Sequence, residues 1–329
     1  MEYRKLGKTD IKVSAVAMGC WALAGEPTWG PQAESDSMAA VRAALDVGVT
    51  LFDTAEGYGD GESERVLGRA LVGRRHEAVI ATKVSRSNLS GDEVQRACER
   101  SLKHLQTDYI DLYQIHWPSR TVPLEETMAA LGELRERGKV RAIGVCNFGV
   151  EDLDDLFEVG WVEANQLPYS LLWRAIEHEI QPKCVEKGMG ILCYSPLVQG
   201  LLTGKFSSPD EVPEGRARVR LFSGDRPQAR HGGAGCEVEA FAAIEAIRRI
   251  SEEMGEPMAR VAVAWLLHRP AVTSVIAGAR RPDQIEQTAR AADLALPREI
   301  VDRLSEATNE VKRAVGPNPD MWQSVSRFR

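Results

Sequence analysis

The chain has 329 residues, 43% of them hydrophobic and 27% charged, enough to bury a large core without disulfide or metal staples. Acids outnumber bases, 48 to 41, for a net charge of -7; that argues against a nucleic-acid-binding face but leaves room for a local anion site. No apolar run approaches ~18 residues, so no membrane-spanning helix is expected. The six cysteines form no CxxC pair and follow a polar N-terminus with no signal peptide, which predicts free thiols in the cytoplasm and no metal site.

In chain order, residues 1–13 read as a hairpin turning at Gly7-Lys8-Thr9-Asp10, placed to plug a barrel floor. Apolar runs follow at 15–18, 50–52, 78–82, 109–115, 140–145, 162–165, 190–193 and 273–277, near-continuous as in parallel strands buried on both faces. Amphipathic helices are predicted between them. One spans 35–47, with Met38, Val41, Ala44 and Leu45 on one face and Gly48 as its cap. The next runs to 105, with Ser90 and Glu93 spaced as a capping box. Others cover 124–137, 151–157, 176–187 and 282–291. Residues 196–235 are Gly/Pro/Arg-rich and poorly periodic, and the strongly basic part, 216–230, reads as partly disordered. Helices at 237–254 and 257–268 precede the last strand, and one at 297–313 precedes a Pro/Asn tail. Eight repeats predict an α/β fold, a closed (β/α)8 TIM barrel in one domain over 1–329. A doubly wound open sheet is the rival, but it would carry GxGxxG where this chain has Gly19-Cys20-Trp21.

In such a barrel, reactive groups sit where strands end and loops begin. The second strand ends in Phe52-Asp53-Thr54-Ala55, followed by Glu56-Gly57-Tyr58-Gly59; the third ends in Thr82-Lys83-Val84 and the fourth in Ile115-His116-Trp117. Singly, each has a plainer reading: Asp53 as an N-cap, Tyr58 as a packed aromatic, Lys83 as a surface residue, His116 as a core histidine. Together, from three consecutive strands, they read as a proton-delivery unit. Lys83 is expected to pull the Tyr58 phenol below its ordinary pKa, Asp53 to keep Lys83 charged, and His116 to position a carbonyl oxygen or share the proton. Tyr58 would donate to an oxygen whose charge grows as hydride reaches its carbon. Trp21, Trp29 and Trp117 are expected to wall, with Tyr58 and His116, a pocket for a small-molecule carbonyl substrate.

The stretch from Leu51 to Gly59, continued by Gly61-Glu62-Ser63-Glu64, resembles the first signature of the aldo-keto reductase family. The likeness extends from Tyr3-Arg4-Lys5-Leu6-Gly7 to Gln284 and is nearest the bacterial branch. It implies NAD(P)H-dependent reduction of aldehydes or ketones, with Asp53, Tyr58, Lys83 and His116 as a catalytic tetrad and Tyr58 as general acid. Gly144-Val145-Cys146-Asn147-Phe148 is similar to the family's GVSNF, with Cys146 in place of serine. The resemblance implies that Asn147 and Gln166 hold the nicotinamide carboxamide and that Tyr194 stacks on the ring. It also implies that Ser195, Pro196, Leu197, Gln199, Gly200 and Lys205 fold over the pyrophosphate, with Cys20, Trp21 and Asp53 bordering the cofactor. Gly278, Arg280, Gln284, Gln287 and Thr288 are implied at the adenosine phosphate and adenine, although the family often has Glu-Asn where this chain has Gln287-Thr288. Arg280 favours NADP(H) over NAD(H). Two other classes stay open. One is a non-enzymatic NADPH-binding regulatory subunit of the same fold, as in potassium-channel β-subunits. The other is a metal-assisted hydrolase or isomerase, which would show more ligand side chains at strand ends.

Overall fold

Eight parallel strands close on themselves in the computed structural model, which describes residues 1–25 and 29–329. An antiparallel hairpin comes first, β1 (Tyr3–Lys5) and β2 (Lys12–Ser14). The barrel strands are β3 (Val16–Gly19), β4 (Leu51–Asp53), β5 (Val79–Val84), β6 (Ile110–Ile115), β7 (Val140–Cys146), β8 (Ala164–Pro168), β9 (Gly190–Tyr194) and β10 (Val272–Gly278). They run round the barrel in that order, and β10 pairs back onto β3. The expected (β/α)8 barrel is therefore the fold, and every predicted strand overlaps an observed one.

Helices wrap the outside: α1 (Glu34–Asp46), α2 (Glu62–Ala70), α3 (Gly91–Leu105), α4 (Leu124–Glu136), α5 (Val150–Val159) and α6 (Ile180–Lys187) follow successive strands. α7 (Glu237–Glu253) and α8 (Met258–Leu267) precede β10, and α9 (Pro282–Ala289), α10 (Arg298–Ala307) and α11 (Asn309–Val315) follow it. Helix α2 was not expected: it is short, and its buried face mixes Ser63, Glu64 and Gly68 with Val66, Leu67 and Ala70. Gly68 is there for packing: a Cβ would stand 2.7 Å from the Leu105 carbonyl at the end of α3. Ser90 does precede α3, but its side chain makes no capping bond. The helix predicted from 176 begins only at Ile180, after a short 3-10 turn.

The basic segment expected to be partly disordered is packed instead. Ala217, Val219 and Leu221 are buried, and the Arg220 guanidinium donates to the carbonyls of Asn318 and Asp320 in the C-terminal tail. Apolar and basic residues alternate from Arg216 to Leu221, so one face enters the core while the other carries charge.

The hairpin plugs the floor as predicted. Leu6, Ile11 and Val13 join Ala17, Leu51, Ala81, Leu112, Ala142, Ala164, Leu192 and Ile276 in one apolar cluster inside the barrel. Side chains repeat their direction every second residue along a strand. One pleat above this layer, toward the C-terminal rim, the inward positions are Gly19, Asp53, Lys83, Gln114, Gly144, Gln166, Tyr194 and Gly278; Cys146 and His116 are two pleats up. The apolar floor thus fixes which polar residues face the mouth.

Candidate active site

The four side chains expected to cooperate meet at that mouth. Lys83 is fully buried, and its ammonium donates to Asp53 Oδ1 at 2.7 Å, to the Thr54 carbonyl at 2.7 Å and to the Tyr58 hydroxyl oxygen at 3.3 Å. Gln166 donates to the other Asp53 oxygen at 2.6 Å. Tyr58 is carried by a turn in which Gly59, Asp60 and Gly61 all take left-handed φ. Ser63 ties that turn down, donating to the Cys20 carbonyl at 2.7 Å and bonding Thr54 Oγ1 at 2.8 Å. The His116 ring stands edge-on to Tyr58, with centroids 5.8 Å apart.

The electrostatics depart from expectation at Tyr58. Burial raises its pKa more than Lys83 lowers it, so the phenol is pushed up to about 12 rather than made acidic. Burial alone would lower Lys83, but Asp53 and the other groups around it outweigh burial and hold the ammonium above its ordinary value. Burial, with help from Lys83, pushes His116 down to about 3, so its imidazole is neutral at physiological pH. The arrangement is a protonated phenol, a permanent cation behind it and a neutral imidazole beside it.

A cavity of about 570 Å³ opens over this group. Trp21, Trp29 and Trp117 line it with Tyr58 and His116. Trp21 stacks on Tyr58 at 5.5 Å and meets Trp29 edge-on at 5.3 Å. Trp117 is braced from behind by the tail, by Phe328 at 5.5 Å and the Arg327 guanidinium at 3.8 Å.

On the β7–β10 side, the implied cofactor residues are only partly available. Asn147 donates to the His116 carbonyl at 3.1 Å and accepts from the Tyr194 hydroxyl at 3.0 Å. Cys146 is buried beside Lys83 and Tyr58 and stays a thiol, because burial raises its pKa. Cys20 does not offer its side chain: it is wholly buried, with its thiol turned to the Met18 carbonyl. Ser195, Val198, Gln199 and Gly200 all have positive φ, making a tight loop after β9; Pro196 and Val198 are buried, while Leu197 is partly buried. A Cβ on Gly200 would lie 3.1 Å from Lys205 Nζ and 3.2 Å from Arg216 Nη1. Two cations thus converge on one glycine. Burial, then Arg216, lowers the Lys205 pKa. Arg216 escaped the sequence reading, although the basic–apolar alternation around it was a usable signal.

At the end of β10, Arg280 is more occupied than expected. Its guanidinium donates to Gln32 Oε1 at 2.6 Å, to the Trp29 carbonyl at 2.8 Å and to the Pro31 carbonyl. Its backbone N–H donates to Gln284 at 2.8 Å. Thr288 turns its hydroxyl back to the Gln284 carbonyl at 2.9 Å, and Gln287 is exposed.

The model of the aldo/keto reductase family matches residues 15–309. The chain belongs to this family of oxidoreductases. Among curated relatives it is 36% identical over 297 residues to the aldo-keto reductase YhdN of Bacillus subtilis, covering 87% of each chain. It is 32% identical to the NADH-specific methylglyoxal reductase of Escherichia coli, over 91% of this chain and 98% of that one. Among solved structures, an aldo-keto reductase from Klebsiella pneumoniae in complex with NADPH superposes with a TM-score of 0.75 at 28% identity, covering 100% of this chain and 99% of that one.

Proposed function

We propose that this aldo/keto reductase reduces aldehydes or ketones to alcohols, taking hydride from NADPH and a proton from Tyr58. The observation that carries the reading is the Lys83 ammonium held between Asp53 and the Tyr58 hydroxyl.

The residues around the mouth fit a nicotinamide dinucleotide. Lys205 and Arg216 converge on a glycine with φ 91°, a cradle for a pyrophosphate that any side chain at that position would fill. Asn147 and Gln166 each keep one amide N–H for a carboxamide, and Tyr194 offers a ring face. When bound, the reduced nicotinamide supplies the hydride.

The chain's own residues manage the proton. Lys83 donates to the Tyr58 oxygen, so the phenolic hydrogen is free to point into the cavity. Tyr58 stays protonated at neutral pH and is ready to give that hydrogen to the oxygen as charge grows on it. The phenolate left behind faces an ammonium already in position, so Lys83 helps most in the transition state. Neutral His116 can donate a hydrogen bond to the carbonyl oxygen but cannot act as an acid at this pH.

NADPH is favoured by Arg280 at the end of β10, which keeps two donors beyond the three it spends on the loop at 29–32. The rival reading, NADH, draws on the NADH-specific relative and on that same occupancy of Arg280. Titrating NADPH and NADH into wild type and Arg280→Ala decides between them: NADPH preference lost in the variant upholds the proposal, and equal affinities in both proteins refute it. The activity itself is tested by loss of reduced-nicotinamide absorbance with a panel of aldehydes and ketones. Tight NADPH binding without turnover of any of them would favour a regulatory subunit.

A further inference from the structure

The cavity has a charged wall that hydride transfer and proton delivery leave unused. Directly after β5, Ser85 and Arg86 line the cavity together with Tyr58, His116 and the three tryptophans. Arg86 is exposed and makes no hydrogen bond or ion pair with any described residue. This is unusual in a chain whose arginines mostly bond carboxylates or carbonyls, as Arg75, Arg120, Arg174 and Arg226 do. Ser85 spends its backbone N–H on Glu56, but its hydroxyl has no partner among the described residues. Two donors therefore stand side by side at the mouth.

The dinucleotide has no use for them. Lys205, Arg216 and Arg280 follow β9 and β10, whereas Arg86 follows β5, across the barrel from that arc. The rest of the wall is aromatic or small, apart from Asp60 on the Tyr58 turn. Asp60 lies beyond ion-pair distance of Arg86 and pairs with no other cation among the described residues. A planar guanidinium at the rim of an apolar pocket suits a bidentate carboxylate on a substrate whose carbonyl reaches Tyr58.

Building on the reductase reading above, we propose that the preferred substrates are oxo acids: aldehydes or ketones carrying a carboxylate, with Arg86 and the Ser85 hydroxyl as the carboxylate subsite. The test is a series of ω-oxo acids of two to five carbons, each paired with its methyl ester, assayed with saturating reduced cofactor. Wild type should favour the acid at one chain length by about tenfold or more in kcat/KM. Arg86→Met should bring acid and ester within about threefold, through KM rather than kcat, while Arg86→Lys keeps part of the preference. Asp60→Asn, which tolerates the same left-handed backbone, should raise the acid preference by removing a like charge. No acid preferred over its ester, or a preference that survives Arg86→Met, overturns the proposal while leaving the reductase reading intact. Failure to reduce any acid or ester with cofactor bound would overturn both.

Discussion

The two arcs of the rim solve opposite problems. Within the tetrad on the β4–β6 arc the charges are satisfied internally: Lys83 spends its ammonium on Asp53, Thr54 and Tyr58, and Asp53 is shared with Gln166. On the β9–β10 arc, Lys205 and Arg216 crowd one glycine, and neither is paired with a carboxylate among the described residues. The tetrad is preorganised for chemistry. The second arc stores like-charge repulsion that an anionic ligand would relieve. Stability and activity should therefore respond differently to substitution on the two sides.

The largest expected effect is at Tyr58. Tyr58→Phe should lower kcat by about 10²–10⁴ while leaving NADPH affinity within about twofold; unchanged turnover would remove the phenol from the mechanism. Next comes Lys83→Met, which strands the buried Asp53 carboxylate and should cost about 3 kcal/mol or more in denaturant unfolding, besides activity. Arg216→Ala should do the reverse, raising the Kd for NADPH about tenfold while changing the stability of the ligand-free protein by less than about 0.5 kcal/mol. If Arg216→Ala unfolds as easily as Lys83→Met, the contrast between the arcs fails. A smaller effect concerns pH. His116 titrates near 3 when folded, against an ordinary value of 6.5, so the unfolded chain takes up the proton first and stability falls as pH drops from about 6.5 toward 3. His116→Gln should flatten that part of the stability–pH curve. Least of all, Cys146→Ser should change kcat/KM by less than about threefold, since the thiol is buried and makes no hydrogen bond in the described structure.

The β4–β6 arc was the more legible in sequence, and for a physical reason. Asp53, Lys83 and His116 sit at strand ends, where strand periodicity predicts position and direction, whereas Tyr58 lies on the turn after β4 and was legible through the signature stretch that contains it. The pKa of Tyr58 was not legible, because desolvation depends on Trp21 stacking over the ring from a distant loop. Arg216 and Arg86 were missed for a different reason. Both lie in segments whose composition reads as solvent-exposed loop, and only the closed barrel brings them to the mouth. The commitment of Arg280 to residues 29–32 was equally hidden, since it joins segments about 250 residues apart in the chain.

The Asp53–Gln166 bond has one more consequence. Its strands, β4 and β8, stand opposite each other in the ring of eight, so the bond lies across the bore like a beam. Beneath it lie Leu51, Leu112 and the rest of the hydrocarbon plug. A visiting molecule is stopped at that beam and cannot sink further. Room for bulkier guests must therefore be found by remodelling the loops that carry Trp29, Arg86 and Trp117, since trimming the plug would hollow out a chamber that nothing can enter.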